Sequence, residues 1–418
     1  MRQMKNSGIE WVGEIPAHWE VMSNKHLMQK QKIICPIYKG QAILSLTMKG
    51  VIERDLDAGG KMPSSFDGYQ YVKRGNLLLC LFDIDVTPRC AGLILKDGVT
   101  SPAYSQYIMR QKAYAPFYSY YYVMVDNTKE LLHMAKNLRH SLNEEQFGAI
   151  KAPVPPISEQ RAIAEFFDKK CGEVDALIAD IQQEIETLEQ YKRSVITESV
   201  TKGLDPSVPM KDSGIDWVQT IPKHWSVHPL YYYFEERKNK NIFAKEQNLL
   251  SLSYGKIIRK DINASGGLLP ENFNAYNIVE PKDIVLRLTD LQNDRRSLRT
   301  GYVNERGIIT SAYITLKAKR DIIQEYFYYE LHVFDLMKGL YNMGSGVRQG
   351  LNFDELSKLK LFEPSIKEQE EIVIHIKEKE IAINKIIADK QSQIETLESY
   401  KKSLIYEYVT GKKEIIAQ

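Results

Sequence analysis

The sequence predicts an α+β protein: two mixed α/β domains separated by two long antiparallel helices that form a coiled coil, the whole a circular, pseudo-twofold internal repeat. Three observations carry this expectation. A long amphipathic stretch occurs twice, at 158–203 and 367–412; an opening segment recurs at an offset of 206 residues; and the regions between consist of short apolar runs punctuated by Gly, Asp-Gly and Pro. The 418 residues accordingly divide into a first domain at 1–157, a first helix at 158–203, a linker with the second domain at 204–366, a second helix at 367–412 and a tail at 413–418.

The first domain opens with MKNSGIEWVGEIPAHWEV (Met4 to Val21), which returns as MKDSGIDWVQTIPKHWSV (Met210 to Val227). AILSLTMKGVIERD from Ala42 corresponds to NLLSLSYGKIIRKD from Asn248, AGGKMP to SGGLLP, TSPAY to TSAY, and NLRHSLN (Asn137 to Asn143) to GVRQGLN (Gly346 to Asn352). The runs AILSLT, NLLLCLF and AGLILK, with NLLSLS, DIVLRL and AYITLK in the second copy, predict a twisted sheet of about five to eight short strands in each domain. Helical stretches follow at Tyr118 to Ala135 and Glu325 to Tyr341. Tyr120, Tyr121 and Tyr122, like Tyr326, Tyr328 and Tyr329, offer rings for base stacking, but their alignment between copies and their nearness to the long helices favour packing. His18 and His224 of the repeated IPxHW read as packed structural residues beside Trp19 and Trp225.

In the first long stretch Ile163, Phe167, Val174, Ile178, Ile181, Ile185 and Leu188 recur mostly in steps of three and four or their multiples, as do Ile372, Ile376, Ile383, Ile387, Ile394, Leu397 and Leu404 in the second. These are the expected seam between helices. Neither stretch contains a proline, and at 1.5 Å per residue each spans roughly 60 Å, so the natural partner for the apolar stripe is the duplicate. Prolines in LDPSVPMKD (Leu204 to Asp212) end the first. The first helix leaves through VTKG into SGIDW, whereas the segment matching SGIDW after the VTGK of the second helix stands at the N-terminus. The repeat is a ring cut at one junction, and the termini are expected close together.

A composition of 43% hydrophobic and 26% charged residues belongs to a soluble globular protein, and no apolar run approaches a membrane span, so a cytoplasmic location with no membrane partner is expected. Four cysteines without a CxxC pair fit a reducing compartment and argue against zinc. The net charge of +2 conceals an asymmetry. Met22 to Val125 holds 13 Lys/Arg against 7 Asp/Glu, Tyr231 to Arg320 holds 16 against 10, and the first helix holds 6 against 10. Basic heads on an acidic helix suggest a polyanion at the heads and a different partner along the helix. There is no GxxxxGK[ST], GxGxxG after a strand, HExxH, GxSxG or [DN]PP[YF], so no catalytic residue, metal site or cofactor is expected in this chain.

Cations concentrate where the two copies diverge. Lys49, Arg54, Lys61 and Arg89 in the first head, and Lys256, Arg259, Lys260, Arg287, Arg295, Arg296 and Arg299 in the second, are candidate DNA contacts, since Arg suits guanine and phosphate. Arg139 and Arg348 recur at the same place in both heads, which suits phosphate positioning rather than base readout.

The combination of SGIxWxxxIPxHWxV, a PxxxEQxxI helix start and IETLExYKxSxIxxxVT, each in two copies across essentially the whole chain, resembles the specificity subunit of type I restriction–modification enzymes. The resemblance implies two target-recognition domains, each reading one half of a bipartite site in double-stranded DNA. It implies a coiled coil that sets the spacer, and a non-catalytic chain. The implied partners are two adenine-methylating modification subunits, with motor/nuclease restriction subunits in the full enzyme; methyl donor and ATP belong to those partners. FEPSIKEQ in the second copy lacks one proline of VPPISEQ, a departure confined to the local turn. The competing readings are a protein-interaction scaffold with two sheet domains on a coiled-coil spacer, which would bind no DNA, and a self-sufficient nuclease–methylase fragment, which would need a methyl-donor or metal site.

Overall fold

The computed structural model describes residues 2–57, 63–87, 89–135, 137–263, 272–291, 297–343 and 350–415. The chain forms two compact units, Met1–Gln182 with Lys390–Gln418, and Gln183–Asp389. The two long helices predicted from apolar spacing are present as Ile157–Lys202 and Ile366–Val409. Gly172 lies inside the first of them without breaking it.

In the first unit a four-stranded antiparallel sheet runs in the order Ala91–Leu93, Leu77–Leu79, Ser105–Met109, Met28–Gln31. The second unit repeats the order with Thr300–Tyr302, Ile284–Leu286, Ile314–Ala318 and Phe234–Glu236. Smaller ribbons surround each sheet, so the expected single sheet of five to eight strands is replaced, among the described residues, by one of four and several of two or three. The strands of these two sheets are three to five residues long, and turn residues interrupt each before a wider sheet can be registered.

A tyrosine-rich helix covers each four-stranded sheet. From Ala115–Asn127, Phe117, Tyr118, Tyr121 and Tyr122 are fully buried, and from Gln324–Leu336, Tyr326, Phe327 and Leu331. Their hydroxyls are satisfied locally: Tyr118 donates to the Pro153 carbonyl at 3.0 Å and Tyr326 to the Val200 carbonyl at 3.2 Å. Tyr120 donates to Asp168 at 2.8 Å and Tyr329 to Glu380 at 2.9 Å, each tying its head to the long helix that follows it. These rings pack; they do not form a stacking platform.

The repeated motifs converge on the start of each long helix. Glu159 accepts from the Trp19 indole at 2.9 Å and faces His18 at 2.6 Å; Glu368 accepts from Trp225 at 3.3 Å and faces His224 at 2.7 Å. Burial pushes the Glu159 carboxyl up, but donors from Trp19, His18 and Arg2 outweigh it and hold the group below the usual glutamate value. The adjacent glutamine completes the clamp. Gln160 accepts the Tyr114 amide at 2.8 Å and donates to the Lys112 and Pro155 carbonyls, and Gln369 accepts the Ile323 amide at 3.0 Å and donates to the Pro364 carbonyl. Burial of Gln160 and Gln369 is complete. The IPxHW and EQ motifs are therefore two halves of one joint, and His18 and His224 are structural, as expected.

The same tryptophans receive the end of the other long helix. Gly203, at φ +75°, sits with its Cα hydrogen toward Trp225, and Gly411, at φ +71°, against Pro16 and Trp19, where an added Cβ would lie 2.4 Å from the Pro16 ring. Gly411 thus brings the C-terminal end of the chain beside the N-terminal motif within the first unit. There the start of the first long helix and the end of the second run antiparallel: Lys401 bridges Asp175 at 2.6 Å, and the Phe166 and Tyr408 rings lie 4.7 Å apart. In the second unit Lys192 donates to Asn384 at 3.0 Å in the same sense. The seam residues are buried at Ile163, Phe167, Val174, Ile185, Ile372, Ile376, Ile383, Ile394 and Leu404, and half-buried at Ile178, Ile181, Leu188, Ile387 and Leu397.

A hairpin, Leu44–Thr47 with Gly50–Glu53 in the first unit and Leu250–Ser253 with Lys256–Arg259 in the second, lies against two glycines, one in the four-stranded sheet and one in a neighbouring ribbon. A Cβ on Gly98 would meet the Ala42 carbonyl oxygen at 2.4 Å, and one on Gly307 the Asn248 oxygen at 2.5 Å; Gly92 and Gly301 would strike Leu46 and Leu252. Because the first pair clashes with backbone, Gly98→Ala or Gly307→Ala should destabilise its unit by about 1–3 kcal/mol. Chemical denaturation of each single variant checks this, and a wild-type midpoint for both would refute the close approach.

Candidate nucleic-acid interface

The hairpins carry most of the sequence-predicted cations that are exposed among the described residues. Lys49 stands in the turn of the first, and Lys256 and Lys260 on and just after the returning strand of the second; all three are exposed and have no ion pair among the described residues. Arg54, which follows the first hairpin, is half-buried and lines a cavity of about 740 Å³ with Tyr38, Tyr71, Lys73, Lys96 and Asp97. Much of the charge there is already matched, Lys73 by Asp97 at 3.2 Å and Lys96 by Glu53 at 2.7 Å. Arg259 is exposed but forms a two-pronged pair with Glu305, its Nε 2.7 Å from Oε1.

Two candidates are corrected by their surroundings. Arg299 is completely buried: Nη1 donates to the Thr289 carbonyl at 2.7 Å, Nη2 to Asp290 at 3.2 Å and Nε to the Tyr341 hydroxyl at 3.4 Å. Its guanidinium satisfies a loop that would otherwise leave carbonyls unpaired, so it is not presented to DNA. Arg89 is likewise engaged, donating to Asn127 at 3.0 Å and lying 3.6 Å from the buried Asp126. Arg287 is half-buried, its amide donating to the Arg299 carbonyl at 2.9 Å.

Asp126 and Asp335, which sequence reasoning missed, are the common feature behind these corrections. Each lies at the end of a tyrosine-rich helix and accepts the amide of the residue just before a strand, Cys90 at 3.0 Å in the first unit and Arg299 in the second. Burial pushes the Asp335 carboxyl above its ordinary value, although hydrogen bonds and nearby cations pull it back. The matching offset of the two aspartates in the repeat was the available signal.

Arg139 is exposed on a loop closed by Asn137, whose side chain accepts the Ser141 amide at 2.9 Å and donates to the Ser141 carbonyl at 2.8 Å. Its neighbour Leu138 is fully exposed. The Leu-Asn shared by the two copies has a separate, local role: Asn143 and Asn352 cap short helices, each in a reciprocal capping box with Gln146 or Glu355. Lys61, Arg295, Arg296 and Arg348 lie outside the described residues. The structure thus groups Lys49 with Arg54, and Lys256 with Arg259 and Lys260, while Arg89 and Arg299 belong to internal networks.

No protein-family model matches the chain. It is similar to a Methanocaldococcus jannaschii protein named provisionally as the type I restriction enzyme MjaX specificity subunit, 23% identical over 434 residues that cover 96% of this chain and 95% of the relative. The type I restriction enzyme MjaVIII specificity subunit of the same organism is 25% identical over 284 residues, 64% of this chain and 63% of that protein. A solved chain from work on complex assembly and conformational transition of the type I R-M system superposes with a TM-score of 0.69 at 12% identity, covering 96% of this chain and 99% of the other. That likeness shows the mixed α/β fold with long helices. No helix among the described residues is long and apolar enough to cross a membrane.

Because Arg299 is the internal plug of a loop, Arg299→Ala should lower stability by about 3 kcal/mol or more. Arg259→Ala, which removes an exposed pair, should leave the denaturation midpoint nearly unchanged. Equal midpoints for the two variants would overturn the assignment.

Proposed function

We propose that this chain is the specificity subunit of a type I restriction–modification enzyme, a DNA-recognition subunit with no catalysis of its own. Each head reads one half of a bipartite site in double-stranded DNA. The long helices, paired as an antiparallel coiled coil about a pseudo-twofold, hold the heads apart and set the unread spacer. Two adenine-methylating modification subunits dock along the helices, restriction subunits join in the full complex, and these partners bind the methyl donor and ATP. The setting is the cytoplasm.

The observation that carries this reading is where the two copies agree on the surface. Glu186, Thr187 and Tyr191 are exposed, and so are Glu395, Thr396 and Tyr400 at the matching positions, with both tyrosines 51% exposed. Core packing does not demand identical residues there. A surface repeated side chain for side chain suits one kind of partner bound twice, whereas the hairpins, which differ in sequence at their turns and carry exposed lysines without an ion pair among the described residues, suit two different half-sites. The curated relatives named as specificity subunits support the same conclusion.

The decisive experiment is co-expression with a modification subunit followed by mapping of methylated adenines. A bipartite motif is expected; a chain that binds no DNA even at low salt would favour the scaffold. Inserting one heptad into both long helices adds roughly 10 Å and should lengthen the spacer by about three base pairs with both half-sites unchanged. An unchanged spacer would sink the ruler. Tyr191→Ala together with Tyr400→Ala should reduce co-purified modification subunit from two copies towards none, each single change removing one, and full retention would refute docking at this surface.

A further inference from the structure

The two hairpins share a feature that neither the core nor the charge pattern explains. At the turn of the first, Met48 is 61% exposed, and at the equivalent position in the second, Tyr254 is 78% exposed. Behind them Ile52 and Ile258, again equivalent, are exposed as well. Tyr254 has φ +46° and Gly255 φ +78° in a two-residue turn that closes Ser253 on Lys256. Such a turn favours Asn or Gly at its first position, and a bulky aromatic there is strained. The turn itself therefore does not call for tyrosine. In the first hairpin Gly50, at φ +93°, takes the left-handed position instead, leaving Met48 at the tip.

The tips are held rigidly. The close approach at Gly92 and Gly98, and at Gly301 and Gly307, seats each hairpin on its sheet, and Gly255 rests against Leu298 with its carbonyl 3.5 Å from the Tyr328 hydroxyl. Beside each apolar tip stands an exposed lysine, Lys49 or Lys256, without an ion pair among the described residues. An apolar side chain on a stiff turn flanked by free cations is complementary to a stacked, polyanionic duplex rather than to a protein surface. We propose that Tyr254 and Met48 are wedge residues that insert at a base step of the half-site each head reads, with Lys256 and Lys49 on the adjoining phosphates. This rests on the DNA-recognition reading and specifies which side chains deform the duplex.

The test uses the full chain in complex with its modification subunit and a duplex carrying the mapped site. Tyr254→Asn relieves the turn, so thermal stability should hold or rise while affinity falls by roughly five- to a hundredfold. The slope of log affinity against log salt should stay unchanged, because no charge is lost; Lys256→Ala should instead make the slope shallower by about one. Tyr254→Trp should restore binding. With 2-aminopurine stepped through the second half-site, one position should brighten on binding to the unaltered complex and remain dark with Tyr254→Asn. If Tyr254→Asn binds and distorts DNA as the unaltered complex does, or if it loses the modification subunit instead, the wedge is overturned while the specificity-subunit reading stands. If the unaltered complex binds no DNA, both fall.

Discussion

The structure depends first on a carboxylate at the start of each long helix. Glu159 and Glu368 stand in the first turn, where the helix presents unsatisfied amides and the positive end of its dipole, and each also takes an indole proton from a tryptophan in the opening segment of its head. Trp19 and Trp225 are almost wholly buried, so this hydrogen bond is made where an unpaired indole would be costly. Fixing the tryptophan also fixes the landing place for the other helix, since Gly411 and Gly203 lie on the same rings. One interaction thus sets the start of one helix and the end of the other. A head could not be duplicated and keep this joint unless the opening segment, the EQ pair and the terminal glycine were duplicated with it.

That requirement explains which residues the copies share. Identity concentrates in the joint, in the glycines under the hairpins and in the IETLExYK surface of the helices. Positions that meet only their own head's core are free to exchange: Tyr121, hydrogen-bonded to Trp11, has as its counterpart Glu330, a buried carboxyl pushed up by burial that accepts the Phe362 amide. The exchange has a cost: the indole of Trp11 donates to the Tyr121 hydroxyl, whereas the indole nitrogen of its counterpart Trp217 and the second oxygen of Glu330 are buried without a hydrogen-bond partner among the described residues. Hairpin tips are freer still, having no partner in the core at all.

Much of this was legible in the sequence because it is periodic or repeated. The apolar stripes from Ile163 to Leu188 and from Ile372 to Leu404 follow from helical spacing alone, and the joint shows as two motifs that recur together. The roles of the arginines were not legible. Arg299 and Arg259 look alike in a basic stretch, yet one satisfies carbonyls brought together by a loop and the other pairs with Glu305 on the surface. Nothing in local composition distinguishes a cation that closes a loop from one that faces outward, because the deciding partners come from other elements. Tyr254 was hidden for a different reason: in a strand-rich segment an aromatic reads as ordinary strand propensity, and only the positive φ reveals that the residue sits where its type is disfavoured.

The internal pairing of these cations bears on how the heads would attract a polyanion. Each carries a formal excess of six positive charges over the counted stretch, and several cations are tied to acidic partners: Arg237 to Asp283, Arg306 to Glu246 and Glu280, and Lys317 to Glu235 in the second, and Arg89 to Asp126, just past the counted stretch, in the first. Counterions released to a polyanion would come first from cations that stay exposed without an ion pair among the described residues, the hairpin lysines and Arg139 among them. Cations already held by carboxylates contribute less to that release, so the salt dependence of binding should be shallower than the number of Lys and Arg implies. On the proposed DNA-recognition role, the rest of the affinity would come from contacts that salt does not weaken, and the exposed apolar tips stand beside the hairpin lysines, where such contacts would be made.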